Sequence, residues 1–169
     1  MFIYFAVRRI EHIFPRLRMS DIASNRKARR DYLISETYEC GIVLRGTEVK
    51  SIRAGKANLS EAFARIDRGE LWLYNCDIRP YDHSAGFFQH EAAGPRKLLM
   101  HRREIDRLDA QVDQKGVTLV PLRLYWGEKG RVKLELGVGK GKTHRDQRED
   151  IKKRDQDREM AREMARFNK

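Results

Sequence analysis

The sequence predicts a mainly β protein: a small closed antiparallel barrel, interrupted by a crossing helix and followed by a tail with no fold of its own. Three observations carry this. Between Tyr32 and Val138, runs rich in β-branched and aromatic residues recur, bounded by glycines and turn residues. In the last run Val132, Leu134 and Leu136 alternate with Arg131, Lys133 and Glu135, so one face is apolar and the other charged. From residue 140 onward that pattern stops. Residues 140–169 hold eleven Lys or Arg, seven Asp or Glu and only six apolar side chains, too few to offset ordering entropy by burial.

Taken in order, residues 1–18 form an N-terminal extension of doubtful function, and Met19 followed by Ser20 and Asp21 looks like a natural chain start. The apolar run from Met1 to Val7 is far short of the about 20 residues a bilayer span needs, and its charge order is wrong for a secretory signal. A membrane-surface helix is the lesser reading of this segment. Tyr32 to Leu44 reads as one long curved strand with a bulge or bend at Gly41. Thr47 to Gly55 reads as a short helix, with Thr47 as a cap for its first turn and Gly55 as the stop. The turn Asp67 to Gly69 joins Ala62–Ile66 to Glu70–Ile78 as a hairpin. Arg79 to Pro95 has two prolines, two glycines and two histidines without a period, which predicts an exposed loop. Ile105, Leu108 and Val112 mark one face of a helix that Gly116 ends. Val117–Trp126 and Arg131–Val138 make a second hairpin. Strands of this number and curvature favour a small antiparallel barrel.

The 169 residues are 40% hydrophobic and carry a net charge of +11. That length suits one core over residues 19–139 with appendages at each end. The basic excess suits a phosphate polymer or an acidic membrane surface, and nucleic acid is the favoured partner. Arg26, Lys27, Arg29 and Arg30 fall within five positions and would neutralise phosphates if they lined a groove; a solvated basic turn is the bland alternative. Lys50 and Arg53, three apart, would give the short helix a basic face. Tyr32, Tyr38, Trp72, Tyr74, Tyr125 and Trp126 could stack bases, although core packing is the default for strand aromatics. Glu39 beside these cations could hold Arg side chains in register or accept hydrogen bonds from base edges. Cys40 and Cys76 form no CxxC pair, so no zinc site or disulfide framework is expected. No GxSxG, HExxH or Walker pattern is present, and GVGKGK lacks the setting of a phosphate cradle. His83 and His90, with Asp82 and Glu91, are the sole basis for an RNA-processing enzyme, and solvated loop histidines are the simpler account. No enzymatic activity, cofactor or metal is expected.

With these segments laid out, the chain resembles the SsrA-binding protein family, small protein B. The resemblance is carried by Asn25 to Tyr32 (NRKARRDY), Glu39 with Gly41, Gly46 to Leu59 (GTEVKSIRAGKANL), Arg96 to Asp106 (RKLLMHRREID), Gly116 to Tyr125 (GVTLVPLRLY), Gly130 to Gly137 (GRVKLELG) and Lys140 to Glu149 (KGKTHRDQRE). It spans nearly all of residues 21–158, with long blocks in the expected order. It implies an oligonucleotide-binding-like barrel with about three flanking helices, and a tail that is disordered when free and becomes a helix on the ribosome. It implies an RNA-binding adaptor that is monomeric when free, is cytoplasmic and has no membrane partner. The adaptor would bind the transfer-RNA-like domain of transfer-messenger RNA and deliver it to stalled ribosomes. The implied RNA face includes Asn25, Glu39, Leu99 and Lys133, with Arg26, Lys27 and Arg29 around them. For the tail, residues 140–169, the implied site is the decoding centre and the empty messenger channel of the small subunit, through Lys140, Lys142, His144, Arg145, Asp146 and Arg148. Thr143 and Gln147 depart from the family's usual motif, which has lysines at both positions. A general ribosomal or initiation-type RNA-binding barrel is the runner-up.

Overall fold

The computed structural model describes residues 21–81, 90–113, 116–127 and 130–167. The expectations for residues 1–18 and for His83 lie outside them. Its spine is a pair of long antiparallel strands, β2 (Tyr32–Ile42) and β9 (Val132–Gly141), matched from Tyr32↔Gly141 to Gly41↔Lys133. Around them stand β1 (Asp21–Ser24), β4 (Phe63–Asp67), β5 (Glu70–Tyr74), β7 (Arg96–Leu99) and β8 (Val117–Trp126). The pairings β8–β4, β4–β5, β5–β7, β7–β2, β2–β9 and β9–β8 close on themselves, giving a ring of six antiparallel strands, with β1 added to the edge of β8. Closure removes the unpaired edges that an open sheet of this size would expose. A separate two-stranded sheet joins β3 (Ala57–Asn58) to β6 (Asp77–Ile78).

Alternation decides what fills the ring. Cys40, Leu71, Leu73, Leu98, Leu119, Leu124, Leu134 and Leu136 point inward and are buried in one cluster. Helix α2 (Gly46–Arg53) adds Ile52 to it, and α3 (Arg102–Val112) adds Ile105 and Leu108, the two predicted face residues. Each such side chain contributes about 1.5–3 kcal/mol by leaving water. Burial pushes the Cys40 thiol up to about 12 and the Cys76 thiol up to about 11, and both are free.

A second, smaller cluster lies on the outside of the ring, where α1 (Ala28–Asp31) places Ala28 on Val120 and Leu122, flanked by Tyr32 and Ile34. It exists because β9 has glycine beneath it. A Cβ on Gly137 would stand 3.1 Å from Leu122 and 3.2 Å from Ile34, so both side chains would have to give way by a few tenths of an ångström.

Several local expectations change. The irregularity in β2 falls between Ile34 and Glu36, and Gly41 sits in regular pairing. Helix α2 begins after Arg45, whose amide donates to the Glu48 carboxylate at 2.6 Å, so Thr47 is inside the helix and free for another partner. That partner is His90. Its ring bonds the Thr47 hydroxyl at 3.0 Å and the Ile78 carbonyl at 2.9 Å, and it is buried, not the solvated loop histidine expected. Beside it the buried Arg96 guanidinium donates to Glu48 (2.7 Å) and to the carbonyls of Cys76, Gly94, Glu91 and Ala92. Residues 90–95 are therefore tied to the core, since a loop carrying this many inward polar bonds cannot float in solvent.

At the tail the boundary moves. Strand β9 runs on to Gly141, so Lys140 belongs to the sheet, and α4 occupies His144–Phe167 as one helix. Its described side chains are exposed. The residue types explain the helix: Glu, Arg, Lys, Gln, Met and Ala dominate, all with high helix propensity.

Candidate nucleic-acid interface

Register across four strands assembles a surface that no single segment contains. Tyr125 of β8 faces Lys133 of β9, Lys133 faces Gly41 of β2, and Gly41 faces Leu99 of β7. The adjacent rung reads Arg123, Glu135, Glu39. Two of these positions owe their aim to a bulge in β8 between Pro121 and Arg123. With one extra residue there, both Leu122 and Arg123 face outward: Leu122 floors α1, and Arg123 joins the charged rung.

Within the two rungs nearly every charge has a partner. Lys133 Nζ lies 3.0 Å from Glu39 Oε1, and the Tyr125 hydroxyl donates to Glu39 Oε2. That hydrogen bond, and then Lys133, hold the Glu39 carboxyl below its ordinary range. Burial, and then the bond to Glu39, push the Tyr125 phenol well above its ordinary value. Arg123 donates to Glu135, reaches Asp21 at 3.2 Å and lies 4.6 Å from the centre of the Tyr125 ring. Leu99 is the apolar exception, 52% exposed. It lies across Gly41, where a Cβ would come 3.2 Å from its own Cβ; any larger residue would lift it away.

The basic cluster before β2 joins this face through Arg29, whose guanidinium is 4.0 Å from Glu135. Lys27 pairs with Glu61 at 3.0 Å, and Arg26 is exposed. Asn25 behaves differently from its neighbours. It is only 7% exposed, donates from its amide to the Leu59 carbonyl (3.1 Å) and accepts from the Ala28 amide (3.1 Å), while its own backbone N–H donates to Leu122 O. It fixes α1 on the barrel. The structure thus brings Arg29, Glu39, Leu99 and Lys133 onto one face, and sets Asn25 behind the cations as their anchor.

A family profile described as SmpB protein matches residues 22–166, from β1 to the end of α4. The chain belongs to the SmpB family. Similar chains are named SsrA-binding protein: one from Symbiobacterium thermophilum is 57% identical over 83% of this chain and 89% of its own length. Another from Carboxydothermus hydrogenoformans is 58% identical over 82% and 92%, and one from Synechocystis is 55% identical over 88% and 96%. Among solved structures, a chain described under "tmRNA-SmpB: a journey to the center of the bacterial ribosome" superposes with a TM-score of 0.61 at 47% identity, covering 76% of this chain and 92% of that one.

In this SmpB chain the tail leaves the barrel beside α1. The Lys142 amide donates to the Asp31 carbonyl at 2.8 Å, and its ammonium donates to the Arg29 carbonyl at 3.0 Å. Thr143 then caps α4: its hydroxyl and amide both donate to Asp146 Oδ2 (2.8 and 2.9 Å), and the Asp146 amide donates back to the hydroxyl at 3.3 Å. These donors hold the Asp146 carboxyl below its ordinary range. This is a capping box, and Thr143 supplies it. Arg145 and Arg148 are exposed on the first turns, and His144 opens the helix.

The predicted stacking aromatics divide. Tyr38 and Trp126 pack partly against the core, Tyr125 is buried under Arg123, and Tyr74 stacks on Phe63 with centroids 5.4 Å apart. Arg123 and Glu135 escaped the sequence reading as a pair. The alternation that turns Glu135 outward was visible in β9, but its partner strand was not.

Proposed function

We propose that this chain is an RNA-binding adaptor: it binds the transfer-RNA-like domain of transfer-messenger RNA (SsrA RNA) and delivers it to stalled ribosomes. The supporting observation is the outward rung Tyr125–Lys133–Gly41–Leu99, where a cation paired to the Glu39 carboxylate of the adjacent rung and a bare leucine stand together on a closed sheet. Such a surface can meet phosphate through Lys133 and the α1 cations, accept a base-edge hydrogen bond at Glu39, and cover an apolar base or sugar with Leu99. Pre-pairing lowers the entropy lost on docking.

The tail has the second task. Arg145, Arg148 and the later basic residues of α4 would lie along the messenger channel near the small-subunit decoding centre, starting from Lys140 and Lys142 at the edge of the barrel. A messenger in that channel would fill the same volume, so exclusion alone supplies selectivity for stalled ribosomes. The adaptor works by binding, without catalysis, cofactor or membrane, as a cytoplasmic monomer until it meets RNA. Competition binding tests this directly. At fixed salt the full chain is expected to prefer transfer-messenger RNA over bulk ribosomal RNA, with protections that persist when α4 is removed. Equal affinity for both RNAs would instead favour a general ribosomal binder.

A further inference from the structure

Arg29 belongs to both ends of the molecule's work. Its guanidinium stands on the charged face, 4.0 Å from Glu135, while its carbonyl accepts the Lys142 ammonium at 3.0 Å. It sits in α1, a single turn of four residues, and the last carbonyls of so short a helix have no partner inside it and favour a cation. Lys142 serves two of them, with its ammonium on Arg29 and its amide on Asp31 at 2.8 Å, and the residue is half-buried there. No slack chain separates this latch from its neighbours. Strand pairing runs to Gly141, opposite Tyr32, and the cap of α4 begins at Thr143. Asn25 pins the other end of α1 through the Ala28 amide. A ligand that draws on the Arg29 guanidinium therefore acts on the end of the turn that carries the root of α4.

We infer that Lys142 is a positioning residue: through α1 it couples the RNA face to the tail, its ammonium being engaged by Arg29 and not by phosphate. RNA on the Arg29 guanidinium steadies the latch, and by linkage a closed latch tightens RNA by the same factor. The inference rests on the RNA partner proposed above and says how the two tasks of the chain are joined.

The full chain and transfer-messenger RNA test it. On adding RNA, hydrogen exchange at the Lys142 amide should slow about fivefold, the low end of ordinary coupling between sites. Lys142→Met should weaken RNA binding by a similar factor, Lys142→Arg should restore it, and Lys142→Met should cost nothing further in an Arg29→Gln background. The steepness of log affinity against log salt should not change with Lys142→Met, whereas a lost phosphate contact would lower it by about 0.7–0.9. An amide whose exchange ignores RNA, losses that multiply in the double variant, or a slope reduced by one contact overturns the coupling. The exchange measurement is made on the wild type and decides the matter should Lys142→Met fail to fold. A wild type with no preference for transfer-messenger RNA over ribosomal RNA overturns the adaptor reading as well; a retained preference with an unresponsive Lys142 amide overturns the coupling alone.

Discussion

The outer face of β8, β9 and β2 and the helix α4 are both dense in charge, yet they hold it in opposite ways. On the sheet, strand register gives Glu39 its partners Lys133 and Tyr125 and gives Glu135 its partner Arg123, while α1 adds Arg29 beside Glu135. On α4 the charges face water, with short-range pairs such as Arg158–Asp155 at 3.6 Å, and Met160 and Met164 are 57% and 66% exposed. Exposed pairs of this kind contribute little to stability. The sheet is thus finished before any partner arrives, whereas the helix has an apolar stripe and a row of cations still to be used.

The sharpest way to break this contrast is to cut the chain after Lys142, which spares β9 and the bonds to α1. Peptide tagging on stalled ribosomes should be abolished while affinity for transfer-messenger RNA stays within about twofold. Comparable losses in both assays would mean that the two regions do not divide the work. Next in size is Leu99→Asp, which puts a carboxylate at an exposed site beside Glu39. Melting temperature should hardly move, but RNA affinity should fall by one to two orders of magnitude in filter binding, about 1–3 kcal/mol.

Asn25→Ala should do nearly the reverse. Leaving the Leu59 carbonyl and the Ala28 amide without their buried partner is expected to cost about 1–3 kcal/mol of stability in urea unfolding. RNA binding by the folded fraction should weaken less than with Leu99→Asp, because α1 shifts without losing a cation. An Asn25→Ala protein of wild-type stability would make Asn25 a contact residue after all.

Acid sharpens the same distinction. Because its folded-state value is depressed, Glu39 contributes stability that is fully present above its ordinary value of 4.5 and is lost as pH falls through the lower folded value. Urea midpoints should drop between about pH 5 and pH 3, and Glu39→Gln should flatten part of that slope. The smallest effect expected is that of Thr143→Ala, which removes the cap hydroxyl. Circular dichroism should record a modest loss of helix, carbon shifts should place it at residues 144–148, and the barrel's melting should be unchanged.

Much of the barrel was legible because strand alternation and turn residues are local signals. Val132, Leu134 and Leu136 point inward as their spacing demands, and Ile105 with Leu108 mark the buried side of α3. The interface was legible in its members and opaque in its assembly. Lys133 and Leu99 are brought onto one row by Gly41, which pairs with both, and these registers join residues 58 and 92 positions apart in sequence. His90 was misjudged for a related reason: its partner Thr47 lies on α2, and nothing near residue 90 in the chain announces it. The helix at the tail was expected from the family resemblance and not from composition, because composition measures what can be buried, whereas a capped run of strong helix formers needs no burial to choose its backbone.

Lys142 gives that run a fixed origin. A helix of 24 residues extends about 36 Å, and each residue turns it by about 100°. Counted from a stub clamped to α1, every arginine along the rod has both a depth and a compass bearing set by its number in the chain. A single residue inserted ahead of Thr143 would leave the composition almost untouched, yet would swing the whole array more than a quarter of a turn away from whatever it was built to meet.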